Sequence, residues 1–328
     1  MIKKLFEKIF LLFIFPLVLF SILEAILFFS PLRQSLGPER FYGGLEDHSF
    51  FWDPNNIIRL DINTHQLKRE FRGKEVAMEK KNVCRIICLG GSSTYGWPYN
   101  NNPNIAYPAV LEQLLNSKCT KKEFEVINAG VGGYTSYQAL YYFKKKLYKF
   151  KPDLVTICFG ANDGNNNDEI RIFCSDKDYY EKLLTVSQNR ALFEISRFLN
   201  KSRIYALLEK IIYSSKRIFI KPKQRVPPLD FKENLENFIK LSKIYSFKLL
   251  FIFEAHVSLN KLNVEIENNP YYGIMLRLAS DNPESVQLVD TISLLRKYEN
   301  KIVFYDNMHP TPYGHKLIAE SIKDVLRK

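Results

Sequence analysis

The sequence lacks the residue patterns by which proteins commonly bind metals and nucleic acids. It has 5 cysteines and 5 histidines in 328 residues, with no Cys-x-x-Cys pair and no His-Glu-x-x-His motif, so no metal site is expected. Zinc-finger spacing, a helix-turn-helix pattern and basic stretches interleaved with aromatic residues are also missing, which argues against a nucleic-acid partner. The formal net charge of +12 instead suits anionic lipid or acidic glycan, or reflects composition alone.

The five cysteines do not suggest a disulfide framework. Cys84, Cys88 and Cys158 fall in apolar stretches typical of strands, where a thiol is usually a small buried hydrophobe. Cys119 and Cys174 lie in polar surroundings and could pair in an oxidising compartment, although their spacing does not require it. We therefore expect the first three thiols to be inert.

One long hydrophobic run lies near the N-terminus. Residues 9–29 are apolar apart from Ser21 and Glu24, and the run is long enough to span a bilayer. Lysines precede it and no small-x-small cleavage site follows it. Residues 1–30 are therefore predicted to form an uncleaved, single-pass signal anchor that leaves the rest of the chain outside the cytoplasm, in preference to a cleaved signal peptide. Glu24 would lie near the interface or pair with another subunit.

Beyond this run, the sequence divides into a lead-in segment and one large α/β domain. Residues 31–83 are polar with little periodicity, and we interpret them as a juxtamembrane lead-in that packs on the domain. From residue 84 to 328, strand and helix patterns alternate. Strands are predicted at 85–89, 125–128, 154–159, 248–254 and 286–289, and helices at 107–117, 136–150, 230–245 and 312–326. This order predicts a three-layer α/β/α fold with a doubly wound parallel sheet.

A less regular insertion, residues 164–228, interrupts this alternation and is interpreted as a helical cap. It contains a predicted helix from 192 to about 220 that mixes aliphatic and basic residues. A helix that packs its apolar face on the domain is the favoured interpretation. A basic amphipathic helix on a membrane surface is the alternative.

Four short motifs carry the predicted chemistry: GGSSTYG at 90–96, NAGVGG at 128–133, GAND at 160–163 and DNMH at 306–309. The first three begin where predicted strands end, which is the edge at which doubly wound sheets bind ligands. A serine needs a base to become a nucleophile, and an Asp three residues before a His can orient that base. Together the motifs predict acyl transfer through a serine; separately each is an ordinary turn sequence.

In this order the motifs resemble the SGNH (GDSL-like) hydrolase superfamily. The resemblance implies a flavodoxin-like sheet, a Ser92, Asp306 and His309 triad, and an oxyanion hole formed by Ser92, Gly133 and Asn162, with no cofactor. One departure is visible, because the usual Gly-Asp-Ser reads Gly-Gly-Ser here and Gly91 replaces the acidic residue before the nucleophile.

The remaining histidines are weaker candidates. His48 and His65 lie in the lead-in and His315 in the last helix, where structural roles are expected. His256 closes a predicted strand at the active-site edge and is a candidate for a substrate contact. Asp163, next to Asn162, is expected to brace its loop.

The sequence as a whole predicts a membrane-anchored serine esterase that removes a short acyl group, such as acetyl, from a glycan or a related ester. An O-acyltransferase acting on a surface polysaccharide is the close alternative, because an acyl-enzyme does not dictate its acceptor. A lipase or lysophospholipase comes next, supported by the amphipathic cap helix. A catalytically silent module that binds glycan or lipid is the alternative from another class, although the intact triad argues against it.

Overall fold

The computed structural model describes most of the predicted domain and the N-terminal hydrophobic run. The described residues are 10–32, 71–99, 101–117, 123–165, 175–178, 202–217, 223–254, 269–289, 303–306 and 308–327, together with isolated positions elsewhere. The candidate His256, and likewise His48, His65, Cys119 and Cys174, lie outside them.

Five parallel strands form one sheet. They are β1 (Val83–Gly90), β2 (Glu123–Gly130), β3 (Leu154–Phe159), β4 (Lys248–Phe253) and β5 (Val286–Val289). The strands lie in the order β2-β1-β3-β4-β5, which reverses direction next to β1 and so creates a ligand crevice at the carboxyl ends. The predicted doubly wound, flavodoxin-like sheet is confirmed.

Helices cover both faces of this sheet. The helices of the described residues are α1 (Phe15–Phe29), α2 (Ser92–Tyr95), α3 (Tyr107–Asn116), α4 (Ser136–Lys145), α5 (Ala161–Gly164), α6 (Arg203–Arg217), α7 (Pro228–Tyr245), α8 (Pro270–Asp281) and α9 (Pro312–Leu326). Alternate strand residues enter two separate cores, because successive side chains of a strand point to opposite faces. Ile87 packs with residues of α4, α7 and α8, and Ile86 packs with residues of α3 and α9.

Three helices differ from the predictions. The helix predicted from 192 to about 220 is interrupted, since Ser202 is not helical and α6 begins at Arg203. The helix predicted at 136–150 ends at Lys145 and gives way to a 3-10 turn, Leu147–Phe150. Leu147 and Phe150 are both buried and continue a spacing of three and four residues from Phe143, which mimics one longer helix. Helix α8 was not predicted at all, although β4 and β5 are parallel neighbours and need a crossover between them.

The described end of the lead-in, residues 71–83, is fixed to the domain. Phe71 is buried in the larger core, and the Arg72 amide donates to the Asn128 carbonyl. The Arg85 side chain is fully buried and donates to the carbonyl oxygens of Ala77 and Phe150 at 3.0 and 2.7 Å. Its guanidinium also pairs with Glu125, so the buried charge is compensated.

Two of the cysteines behave as predicted. Cys88 and Cys158 are buried and free, whereas Cys84 is only half-buried. Burial raises the pKa of the Cys88 thiol to about 12 and also raises the pKa of Cys158. Both thiols are therefore protonated and unreactive at neutral pH.

The hydrophobic run near the N-terminus forms a continuous helical segment. A π-helical stretch, Phe10–Ile14, continues into α1. Phe10–Phe29 is long and apolar enough to cross a membrane, and most of its large side chains are exposed. By length and composition the segment fits a membrane anchor or a signal sequence.

Candidate active site

Ser92 lies in a tight turn directly after β1. Gly90 and Gly130 pair at the ends of β1 and β2, and neither has room for a side chain. A Cβ on Gly90 would lie 1.9 Å from Thr94 Oγ1, and one on Gly130 would lie 2.5 Å from the Tyr95 amide nitrogen. These glycines allow the turn and α2 to close over the strand ends, which places Ser92 at the crevice.

The structure brings Ser92, His309 and Asp306 into one line of hydrogen bonds. Ser92 Oγ is 2.7 Å from His309 Nε2, and His309 Nδ1 is 2.7 Å from Asp306 Oδ2. A carboxylate only accepts hydrogen bonds, so Nδ1 carries the proton and Nε2 is left to accept the serine proton. Ser92 and His309 are 217 residues apart in the sequence, so the fold is what brings them together.

Asp306 is held in its ionised form. Partial burial acts to raise its pKa, but hydrogen bonds from the Met308 and His309 amides and from the His309 ring together lower the pKa of Asp306 below its ordinary value. Both backbone bonds end on Oδ1, each at 2.9 Å. One carboxylate oxygen therefore fixes the loop, and the other orients the imidazole.

The loop that carries His309 is fastened on both sides. The Tyr305 amide donates to the His309 carbonyl at 2.8 Å, and the Thr311 amide donates to the Val303 carbonyl at 2.8 Å. Thr311 also caps the start of α9 by accepting from the Gly314 amide. The Trp97 ring lies against the imidazole, with centroids 4.3 Å apart, a contact that no local sequence motif signals.

Of the predicted oxyanion residues, Asn162 borders the same turn. Asn162 is buried, and its Nδ2 donates to the Tyr134 carbonyl at 3.0 Å. A Cβ on Gly91 would lie 2.7 Å from that Nδ2, so the amide rests directly on the residue before Ser92. A carboxamide has two N–H donors, and one of them remains to serve a ligand. Gly133 adopts φ +74°, a left-handed conformation that favours glycine.

Arg225 fixes the backbone next to Gly133. Its Nη1 donates to the Gly133 carbonyl at 2.7 Å, and its Nη2 donates to Gln138 Oε1 and Asp176 Oδ2 at 3.2 and 3.0 Å. Asp176 is buried and also accepts from the Thr135 hydroxyl at 2.9 Å. Arg225 and Asp176 both come from the insertion, so this segment braces the loop that carries Gly133. Sequence reasoning missed both residues because they belong to no motif.

Asp163 braces the loop that follows β3, as predicted. It is fully buried and accepts from the Ser136 amide and hydroxyl and from the Gly160 amide. Burial raises its pKa to about 6, against the lowering effect of the Ser136 hydrogen bonds. The start of α4 is thereby tied to the Asn162 loop.

A third buried carboxyl, that of Glu254, lies beside the turn that carries Ser92, and sequence reasoning missed it as well. Glu254 follows β4 and is 5% exposed, and within the described residues neither carboxyl oxygen has a well-formed hydrogen bond. A Cβ on Gly91 would lie 3.7 Å from Glu254 Oε1, so an acid stands next to the position where the family's usual motif has its Asp. Burial raises the pKa of Glu254 to about 7; the nearby Ser93 hydroxyl lowers it and Asp163 raises it.

Two further predictions concern His315 and metals. His315 is buried in α9 and its Nδ1 accepts from the Tyr107 amide, while burial lowers its pKa to about 4. It is thus a neutral packing residue, as expected. Among the residues that the structure describes, no cluster of His, Cys, Asp or Glu could hold a metal ion.

Comparison with known proteins agrees with this geometry. A model of the GDSL-like Lipase/Acylhydrolase family matches residues 88–317, a range that contains all four motifs. An acetylxylan esterase from Xylanibacter ruminicola is 32% identical over 95 residues, covering 27% of this chain and 19% of that protein. The chain thus matches about a fifth of that relative's length.

Solved structures that the chain resembles share little sequence with it. A lipase/acylhydrolase from Enterococcus faecalis is 17% identical with a TM-score of 0.49, covering 74% of this chain and 95% of that one. Axe2, an acetylxylan esterase from Geobacillus stearothermophilus, is 15% identical with a TM-score of 0.47, covering 73% and 92%.

Proposed function

Since the chain belongs to the GDSL-like lipase/acylhydrolase family and is a carboxylic ester hydrolase, we propose that Ser92 is its nucleophile, His309 its general base and Asp306 the residue that orients His309. The observation that carries this assignment is the 2.7 Å approach of Ser92 Oγ to His309 Nε2, continued by the 2.7 Å contact of Nδ1 with Asp306. His309 takes the Ser92 proton as Oγ attacks the acyl carbon, and then returns it to the departing alkoxide.

The same proposal assigns an oxyanion hole to the Ser92 and Gly133 amides and the Asn162 side chain. Attack on the carbonyl creates an oxyanion, which preorganised donors stabilise more strongly than the ground state. The hydrogen bond from Asn162 to the Tyr134 carbonyl and the hold of Arg225 on the Gly133 carbonyl support the assignment, because they fix the donors before substrate arrives. Water activated by His309 then hydrolyses the acyl-Ser92 ester, without a cofactor.

For the substrate, we propose a short acyl group, such as acetyl, on a glycan or a related ester. The relative from Xylanibacter ruminicola is named an acetylxylan esterase, which supports this choice. The hydrophobic N-terminal helix also supports it if it anchors residues 84–328 outside the cytoplasm, through the lead-in 31–83, because surface glycans would then be within reach. The insertion 164–228 would cap the crevice, consistent with the contacts of Asp176 and Arg225.

Hydrolysis of p-nitrophenyl esters from acetate to palmitate by the full chain tests the proposal. Acetate should be the best substrate, and Ser92→Ala should lower kcat by at least about 10⁴-fold, since a triad serine acts as a unit with its base. Ser117→Ala, which removes an exposed serine outside the four motifs, is the matched control and should retain full activity. An active Ser92→Ala variant would refute the nucleophile assignment, and a preference for long chains would favour a lipase.

An O-acyltransferase remains the second candidate, because an acyl-enzyme can pass its group to a sugar hydroxyl as well as to water. Product analysis distinguishes the two. Incubation with acetylated xylan should release free acetate and leave added unacetylated oligosaccharide unchanged. Acetyl groups appearing on the added oligosaccharide, with little free acetate, would identify a transferase.

A further inference from the structure

The acidic residue of the hydrophobic helix has three hydrogen-bond partners in the described part of the chain. Glu24 Oε1 accepts from the Ser202 hydroxyl and from the Ile204 amide, the latter at 3.0 Å, and Oε2 accepts from the Arg203 amide at 3.0 Å. Both amides belong to the first turn of α6, where backbone N–H groups have no acceptor within the helix itself. A carboxylate at this position is favoured by hydrogen bonding and by the helix dipole. Glu24 therefore caps a helix that lies 178 residues or more away in sequence.

A second contact joins the start of α6 to α1. The Arg203 guanidinium lies over the Phe28 ring, 4.7 Å from its centroid. Glu24, Leu27 and Phe28 are half-buried, whereas the neighbouring Ala25, Ile26 and Phe29 are exposed. Residues three and four apart share one face of a helix, so α6 begins against a single face of α1.

One face of α6 is mostly aliphatic among its described side chains, with the exposed Ser215 as a polar member. Leu208, Ile211 and Ile212 are 53%, 53% and 51% exposed, and their spacing places them on one face, opposite the buried Ala206. A helix in water normally presents polar side chains outward. Three half-exposed aliphatic residues next to a hydrophobic spanning helix instead match a surface that faces lipid.

We propose that α6 lies in the interfacial layer of the membrane next to α1, with Leu208, Ile211 and Ile212 inserted into an anionic bilayer. This inference rests on the proposed anchoring of α1. Glu24 precedes the end of α1 by five residues, or about 7.5 Å of helix. Interfacial helices insert their apolar faces about 5–10 Å into the headgroup and acyl boundary, so the cap holds α6 at a suitable depth. Lys210, Lys216 and Arg217 make the helix basic, which favours anionic lipid.

Nitroxide labels on the full chain in vesicles test the proposed depth. Cys84, Cys119 and Cys174 are replaced by Ser, and the buried Cys88 and Cys158 are kept. Single labels are placed at Ile211→Cys, at Leu229→Cys and at Ile22→Cys; Leu229 is an 81% exposed residue at the start of α7. Oxygen concentrates in lipid and a polar nickel complex stays in water, so the ratio of their collision rates with a label reports its depth. In vesicles containing phosphatidylglycerol, the labels at 211 and 22 should collide more often with oxygen, and the label at 229 should collide more often with the nickel complex.

Four other labelling results would overturn all or part of the proposal. An aqueous profile at 211 with a lipid profile at 22 overturns the α6 proposal and leaves the anchor intact. An aqueous profile at both overturns the anchor as well, whereas p-nitrophenyl acetate hydrolysis tests the active site separately. Protection of 211 from both reagents indicates a protein partner, such as a second copy, and also overturns the proposal. Equal depth at 211 in purely zwitterionic vesicles overturns the preference for anionic lipid.

Removing the cap tests the role of Glu24. Glu24→Ala should increase amide exchange at residues 203–206 by about tenfold, because an N-cap of this kind is lost, and should make the 211 label shallower. Glu24→Gln keeps an acceptor oxygen and should have a smaller effect. Hydrolysis of soluble p-nitrophenyl acetate should be unchanged in both variants. Unaltered exchange in Glu24→Ala would show that the residue does not hold the helix.

Discussion

At the scale of single residues, Asp306 has two separable tasks, one for each carboxylate oxygen. Asp306→Asn keeps an oxygen for the Met308 and His309 amides but can place an N–H donor against His309 Nδ1, which reverses the imidazole tautomer. We expect kcat on p-nitrophenyl acetate to fall by about 10³–10⁴-fold with little loss of stability. Asp324→Asn, at an exposed position of α9, is the control. A loss of less than tenfold would mean that Asp306 does not orient the base.

Glu254 gives a prediction for the dependence of stability on pH. Its pKa is raised from the ordinary value of 4.5 to about 7 by burial. Between these two pH values, the folded state therefore keeps a proton on Glu254 that the unfolded state has lost. Stability due to this group is therefore undiminished below pH 4.5, falls as the pH rises towards 7, and stays low above it.

Glu254→Gln should remove this penalty. The variant should gain stability relative to the original chain between pH 4.5 and pH 8, by at most about 3 kcal/mol, since one pKa unit corresponds to about 1.4 kcal/mol. Urea unfolding at the two pH values measures the difference, and the comparison cancels any packing cost that does not depend on pH. Glu284→Gln, at an exposed position just before β5, should show no such change. An identical pH profile for Glu254→Gln would mean that the carboxyl titrates normally in the fold.

At the scale of structural elements, the insertion contributes to the active site through Arg225. Arg225→Met removes the hydrogen bonds to the Gly133 carbonyl, to Gln138 and to Asp176. The buried Asp176 carboxylate then lacks its cationic partner and keeps only the hydrogen bond from the Thr135 hydroxyl. We expect kcat to fall by about 10–100-fold with a smaller change in KM, because displacing the Gly133 amide, the proposed oxyanion donor, would weaken binding of the transition state most.

The double variant Arg225→Met, Asp176→Asn separates positioning from unfolding. Neutralising Asp176 should recover most of the lost stability, measured by urea unfolding, without restoring kcat, because the Gly133 carbonyl still lacks its donor. Recovery of kcat together with stability would show that Arg225 serves the fold alone.

The elements also show how far the sequence predicts this protein. The strands were predictable because both faces of the sheet are covered, so each strand is a short apolar run such as Leu154–Phe159. The turns carrying Ser92 and Asn162 were predictable because chemistry and strand end coincide in one motif. Helix α8 was missed because Gly273 and its aromatic first turn obscure its periodicity. Arg225 and Glu254 were missed because their partners lie in distant segments, and only tertiary contact reveals their role.

At the scale of the whole molecule, the excess of positive charge leads to a prediction about the proposed polymeric substrates. With a formal net charge of +12, the chain should attract an acidic acetylated polysaccharide over distances comparable to the Debye length, about 10 Å at 0.1 M salt and about 30 Å at 0.01 M. Neutral acetylated xylan should feel no such attraction, although both polymers offer the same ester.

Raising the salt concentration from 0.01 to 0.2 M should therefore lower kcat/KM several-fold for acetylated pectin and leave it nearly constant for acetylated xylan. Acetate release by the full chain in nanodiscs of zwitterionic lipid measures both rates without competition from anionic headgroups. Because the proposed hydrolysis at Ser92 is common to the two substrates, any effect of salt on the chemical step would appear in both rates and would cancel in their ratio. If the ratio of the two kcat/KM values did not change with salt, the positive charge would lie on surfaces remote from the crevice. It would then be available to bind anionic lipid and not the substrate.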